Sequence, residues 1–219
     1  MQCASIDYYR MMVFEKFCIN CGEPQINCKV VMANRTNWIA ENFAAPVGSE
    51  TAKGFYIAQG FGEPNPRFRN SRHLGEDWNY NAGGDSDFAA PVYSIGRGII
   101  TYRGDIGGGW GKVVRICHKL GDNLRMKFNT QYLESIYAHL YDFEVDVGQE
   151  IQEGQWIGSM GDANGSYLSH LHFEIRTDPN EELGGGYDKE IPNYYLNPVD
   201  FLRNFQKSIA LPQTTSIQN

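Results

Sequence analysis

Between residues 53 and 205 the chain is made of short runs in which apolar and polar residues alternate, each broken after a few positions by Gly, Asp or Asn. A period of two belongs to a strand, whose successive side chains point to opposite faces. Breaks this frequent leave no room for long helices. Glycine supplies many of them, with 24 of 219 residues against a usual share of about 7%. The runs predict strands at Phe55–Gln59, 92–103, 112–118, 135–141 and Leu171–Arg176. Gly148-Gln149 and Gly154-Gln155 repeat a Gly-Gln unit, which predicts turns between very short strands. Only 197–205 reads as a helix, with Asn197 as its cap and Pro198 in the first position. The expectation is an all-β domain with few short helices.

Composition removes several function classes. The net charge of −7 gives no basic stripe to displace counterions from a nucleic acid. No uncharged stretch approaches the roughly 18 apolar residues of a membrane span. Aromatics at 13% argue against disorder.

The N-terminal residues 1–45 differ in texture and are expected to form a Cys-rich extension, followed by one domain over 46–206 and a flexible tail over 207–219. Cys3, Cys18, Cys21 and Cys28 all fall in that extension. They leave two alternatives: a structural zinc held by the cluster, or a translation start at Met32. Cys117 stands alone in an apolar run and reads as a small buried hydrophobe. No basic segment followed by an apolar one marks a secretory signal.

Alternation assigns faces. In the run Ser169-His-Leu-His-Phe-Glu-Ile-Arg176, one face carries His170, His172, Glu174 and Arg176, and the other Leu171, Phe173 and Ile175. In 135–141, Tyr137, His139 and Tyr141 fall together, opposite Ile136, Ala138 and Leu140. His118 shares its face with Val114 and Ile116, which marks it as structural.

The remaining histidines form a pattern. His73-Leu-Gly-Glu-Asp77 places an imidazole and a carboxylate four residues apart with Gly75 allowing a bend, and His170-Leu-His172 places two imidazoles on one strand face. Zinc takes imidazole and carboxylate ligands, and a catalytic site keeps three of them. Each piece alone has a plainer reading: a loop ion pair, solvated strand residues, a structural His139. Together they point to a metal site. A phosphate loop is excluded because Val113 follows Gly111-Lys112, and no His-Glu-x-x-His occurs.

These motifs, with Ala90-Pro-Val-Tyr93, Tyr137-Ala-His-Leu140 and the run from Val147 to Gly158, resemble the lysostaphin/LytM-type zinc endopeptidases over residues 54–203. The resemblance implies an open, mainly antiparallel β-sheet sandwich of the duplicated hybrid motif type. It implies one catalytic zinc ion on His73, Asp77 and His172, with His139 and His170 acting on the reacting groups. The implied activity is a metalloendopeptidase cutting bacterial peptidoglycan cross-bridges or stem peptides outside the cytoplasm; the oligomeric state stays open, with a monomer favoured. The rival is a non-catalytic LytM-like module that binds and activates cell-wall amidases.

Glu174 is a candidate acceptor for a ligand imidazole. Some members of that family carry a tyrosine shortly before the first histidine, whereas residues 66–72 here contain none. Residues 162–169 also depart from the family pattern, leaving one cleft wall open. The insertions 83–87 and 122–132 lengthen loops beside the groove, and Trp110 is either a groove aromatic or a hairpin tip.

Overall fold

The computed structural model describes residues 25–35, 37–48 and 52–205. Ten strands form one sheet whose central path runs Phe55–Gln59, Glu76–Tyr80, Leu171–Arg176, Tyr132–Phe143, Lys112–Lys119, Gly98–Asp105, Glu150–Ile151. Every strand pairing is antiparallel. Pro91–Tyr93 pairs Trp156–Met160, which in turn joins Tyr132–Phe143. A separate three-stranded sheet orders Tyr187–Asp188, Ser71–His73 and Pro64–Asn65. The architecture is the expected one, mostly β with open sheets and short helices. Among the described residues no helix is long and apolar enough to cross a membrane.

The expected run 92–103 divides into Pro91–Tyr93 and Gly98–Asp105. Glu76–Tyr80 is a strand that the alternation reading did not single out. The helix Pro198–Phe205 forms as expected, its Asn197 Oδ1 accepting the Asp200 N–H at 3.0 Å. Two further α-helices appear among the described residues. Asp122–Phe128 lies within the presumed loop insertion and buries only Leu124, so it carries no apolar stripe to be read. Cys28–Met32 packs on the sheet and is capped by Asn27.

One face of the sheet holds the main core. Leu171, Phe173 and Ile175 meet Tyr137, Trp78, Val114 and Ile116 there, all fully buried. Each such side chain contributes about 1.5–3 kcal/mol by leaving water. His118 lies on this face as expected, with no exposure, its Nδ1–H donating to the Arg97 carbonyl at 2.9 Å.

The opposite face is covered in patches. At one end Met32 and Val31 pack on Ile99 and Cys117, and Cys28 is joined to Cys117 by a disulfide. This corrects two expectations: Cys117 is buried but bonded, and Cys28 cannot ligate a metal alongside the other N-terminal cysteines. Cys3, Cys18 and Cys21 lie outside the described residues, as does the expected tail 207–219. Further along, Arg115 and Arg176 both bind the buried Glu134 carboxylate. Their remaining N–H groups hold the carbonyls of Pro179, Glu181 and Glu182. That clamp carries the segment 177–186 across the sheet. Beyond it the face opens.

Candidate metal centre

The site forms where the Leu171–Arg176 strand lies between Glu76–Tyr80 and Tyr132–Phe143. Register sets His172 opposite Asp77 on one side and Ala138 on the other, so three strands deliver side chains to one place. His73 enters from the small sheet, at the end of Ser71–His73. The two residues after it turn the chain into the large sheet. A Cβ on Gly75 would sit 2.5 Å from the Phe173 carbonyl oxygen and 2.9 Å from Glu174 Cγ, so only glycine lets the turn lie against the strand.

His139 arrives by a different device. Its φ is +62°, in the left-handed region that side chains with a Cβ rarely enter. Strict alternation would place it with Tyr137, on the core face. Instead the ladder slips: Val114 pairs Tyr137 while Lys112 pairs Leu140. Leu140 then joins Tyr137 in the core, while Ala138 and Ile136 face the other way with Val113. His139 thus lies in the cleft as expected, whereas Tyr137, expected on the same face, lies in the core, and Ile136 and Ala138 lie opposite it. The bulge turns His139 into the cleft.

Three ligand-type atoms converge. His73 Nε2 lies 3.0 Å from His172 Nδ1, and Asp77 Oδ1 is 3.0 Å from His172 Nδ1 and 3.3 Å from His73 Nε2. A tetrahedral ion with bonds of about 2.0–2.1 Å requires ligand separations of about 3.3 Å. The triangle therefore fits a metal of zinc's size with little adjustment. The ring of His172 is oriented to suit: its Nε2–H donates to Glu174 Oε1 at 3.0 Å, so Nδ1 is the atom aimed at the shared point. His73 is fully buried, and its ring stacks on Tyr187 at 4.9 Å.

His139 and His170 stand beside this triangle, their ring centroids 4.7 Å apart. His139 Nδ1–H donates to the Trp110 carbonyl at 3.2 Å and His170 Nδ1–H to the Leu168 carbonyl at 2.7 Å. Both Nε2 atoms are thereby left bare, and that of His170 is 3.7 Å from Asp77 Oδ1. All five residues expected from the sequence come together, and four of them line one cleft of about 880 Å3.

Electrostatics follow from burial and neighbours. Burial opposes ionisation of Asp77, but His73, His172 and His170 outweigh it and hold the carboxyl well below its ordinary range. Burial lowers the His172 pKa, yet its bonds to Asp77 and Glu174 prevail and raise it to about 9. For His139, burial and then the neighbouring His170 and His172 push the imidazole well below its usual value.

Other cleft residues carried no motif. Tyr187 follows three glycines on a two-residue strand, and its O–H donates to Gln59 Oε1 at 2.7 Å. Tyr167 lies 5.2 Å from the His139 ring. Trp110 is both hairpin-tip and groove aromatic: its Nε1–H holds the Gly184 carbonyl at 2.9 Å while its ring edge meets His172 at 5.3 Å.

The solved catalytic domain of the antimicrobial peptidase lysostaphin from Staphylococcus simulans superposes with a TM-score of 0.52 at 22% identity, covering 69% of this chain and 95% of that one. The DD-carboxypeptidase/endopeptidase Mpg of Neisseria meningitidis serogroup B is 35% identical over 94 residues, which is 41% of this chain. The chain spans only 19% of the length of that relative. Lipoprotein NlpD of Yersinia enterocolitica is 34% identical over 86 residues, 39% of this chain and 76% of NlpD. The model of peptidase family M23 matches residues 71–183, just over half of the sequence and the stretch that carries all five site residues, and the chain belongs to that family.

Proposed function

We propose that the protein is a zinc-dependent metalloendopeptidase hydrolysing peptide bonds in bacterial peptidoglycan. The observation that carries this reading is the pairing of a three-atom ligand triangle, at 3.0–3.3 Å, with two adjacent imidazoles whose Nε2 atoms are free. In it His73, Asp77 and His172 hold the ion. The chemistry zinc supplies when bound is Lewis acidity toward the scissile carbonyl and the attacking water. His139 and His170 handle protons: each is pinned through Nδ1 to a backbone carbonyl, so Nε2 accepts a proton from the water or returns it to the leaving nitrogen. Burial and the neighbouring imidazoles keep His139 neutral. Glu174 fixes the ring of His172.

The rival reading, a non-catalytic module acting through amidases, has no use for the two free Nε2 atoms. Location outside the cytoplasm is supported by the Cys28–Cys117 disulfide, a bond that persists in oxidising compartments, and by the lipoprotein relative.

The test is metal content together with cleavage of purified sacculi. The expected result is one zinc per chain, chelator-sensitive release of peptide products, loss of zinc in His172→Ala, and retained zinc with lost cleavage in His139→Ala. Cleavage indifferent to His172→Ala, or a zinc-loaded chain that opens no peptide bond, overturns the proposal.

A further inference from the structure

An apolar shelf adjoins the cleft beside His170. Leu168 lines the cleft and is 63% exposed. Phe88 and Tyr141 meet at 4.8 Å between ring centroids, with 42% and 52% of their surfaces in water. Four contacts tie this pair to the site. Gly161 forms a bridge with His170, and its Cα lies so close to Tyr141 that an added Cβ would stand 2.6 Å from the Tyr141 nitrogen. Asp85 accepts the Ser169 N–H at 2.8 Å through Oδ1 and the Phe88 N–H at 3.0 Å through its backbone oxygen.

The ladder itself sets Tyr141 apart. Ser159 pairs Asp142 and Met160 pairs Leu140, so Tyr141 is skipped between them. Lys112 fixes it from behind, its ammonium 2.6 Å from the Tyr141 carbonyl and 5.7 Å from the ring. Two adjoining exposed aromatics, tied through Gly161 and Asp85 to the segment that carries Leu168 and His170, mark a contact surface.

Resting on the peptidoglycan reading, the geometry points to this shelf as a subsite for the glycan strand of the substrate. The occupant must be covalently continuous with the peptide in the cleft. In peptidoglycan that leaves small or charged peptide residues, which cannot cover two aromatic rings, or N-acetylated pyranose rings. The C–H faces and acetyl methyls of such sugars pack on exposed aromatic faces without needing charge. The charge balance points the same way. A chain of net charge −7 gains no electrostatic attraction to an anionic wall, and a neutral sugar is the part of the substrate that this charge does not repel.

The experiment titrates the full zinc-loaded chain with a β-1,4-linked N-acetylglucosamine tetrasaccharide. It then compares wild type, Tyr141→Ala and Phe88→Ala on intact sacculi and on glycan-free wall peptide. Wild type is expected to bind the saccharide, and each substitution to weaken that binding about five- to tenfold. The same variants raise KM on sacculi by a similar factor and leave cleavage of free peptide unchanged, with zinc content intact. Absence of saccharide binding to wild type overturns the inference, as do equal losses on sacculi and free peptide, which would assign the shelf to the peptide. Saccharide binding by a wild type that cleaves neither substrate would remove the peptidase reading and leave the glycan subsite standing.

Discussion

Glu174 Oε1 sits 3.0 Å from Nε2 of His172, two residues back on the same strand face. Glu174 is fully buried, so its bond to the imidazole meets no competition from water. The pairing sets the proton of His172 on Nε2 and raises the basicity of Nδ1, the atom aimed at Asp77 and His73. Losing such a partner typically weakens a metal site about 10–100-fold. Glu174→Gln is expected near the lower limit and Glu174→Ala near the upper, read by zinc competition against a chromophoric chelator. Unchanged affinity in both variants would mean that the strand alone orients His172.

Gly75 makes a sharper prediction about the turn between His73 and Asp77. Gly75→Ala pushes a methyl to 2.5 Å from the Phe173 carbonyl, and the obstruction is backbone rather than a yielding side chain. The expected cost is about 1–3 kcal/mol of stability, together with weakened zinc binding because His73 and Asp77 flank the displaced turn. Denaturant melts and the chelator competition check the two effects separately. A variant as stable as wild type would show that the turn can shift.

These residues also show what a sequence reveals. The proposed ligand triangle is legible because its motifs are local: three residues separate His73 from Asp77, and one separates His170 from His172. The orientation of Glu174 was legible from strict alternation on the same strand. His139 is legible through its motif and lies in the cleft as expected, but Tyr137, expected on the same face, lies in the core, because one slipped ladder position inverts the side chains on either side of it and no residue type announces the slip. The disulfide was missed for another reason: Cys28 and Cys117 are 89 residues apart, and only the folded sheet brings them together. Tyr187 carries no local signal at all, since its place against His73 depends on a two-residue strand pairing.

Acid should act through His118. It is fully buried, with Nδ1–H on the Arg97 carbonyl and Nε2 against the Ser135 hydroxyl at 2.7 Å. Burial pushes its pKa down to about 4 from 6.5. The unfolded chain therefore takes up a proton between these values that the folded chain refuses, so stability falls as pH drops through that window and is unaffected above it. Linkage gives a loss of about 1.4 kcal/mol per pH unit, about 3 kcal/mol in all. Urea titrations from pH 7 to 4 should show this slope in wild type, and the difference from His118→Gln isolates it. Parallel curves for the two proteins would assign acid lability to other groups.

The Cys28–Cys117 bond closes a long loop, its ends 89 positions apart in sequence. Chain-entropy arguments give such a closure about 4–5 kcal/mol, with about 2–4 typical of measured cases. Cys117 is wholly buried and Cys28 nearly so, so a mild reductant reaches the bond only through opening of the Cys28–Met32 helix. Reduction is expected to be slow in the native protein, fast in moderate denaturant, and accompanied by a clear fall in Tm. The double variant Cys28→Ser, Cys117→Ser should match the reduced protein. Rapid native-state reduction with no change in Tm would show that the N-terminal segment is not held by this bond.

Strain at His139 separates what its backbone costs from what its ring does. A left-handed conformation at a residue with a Cβ costs on the order of 1 kcal/mol or more, and glycine adopts it freely. His139→Ala keeps the strained φ of +62° and loses the ring, whereas His139→Gly loses the ring and relieves the strain. Both variants should be inactive on sacculi while retaining zinc, since the proposed ligand triangle does not include His139. Their stabilities should differ, with the glycine variant the more stable by about 1 kcal/mol despite its more flexible unfolded chain. Urea melts of the two zinc-loaded variants decide the matter. Alanine equal to or more stable than glycine would mean that the bulge at His139 imposes no strain, and that the ring is aimed into the cleft at no energetic cost.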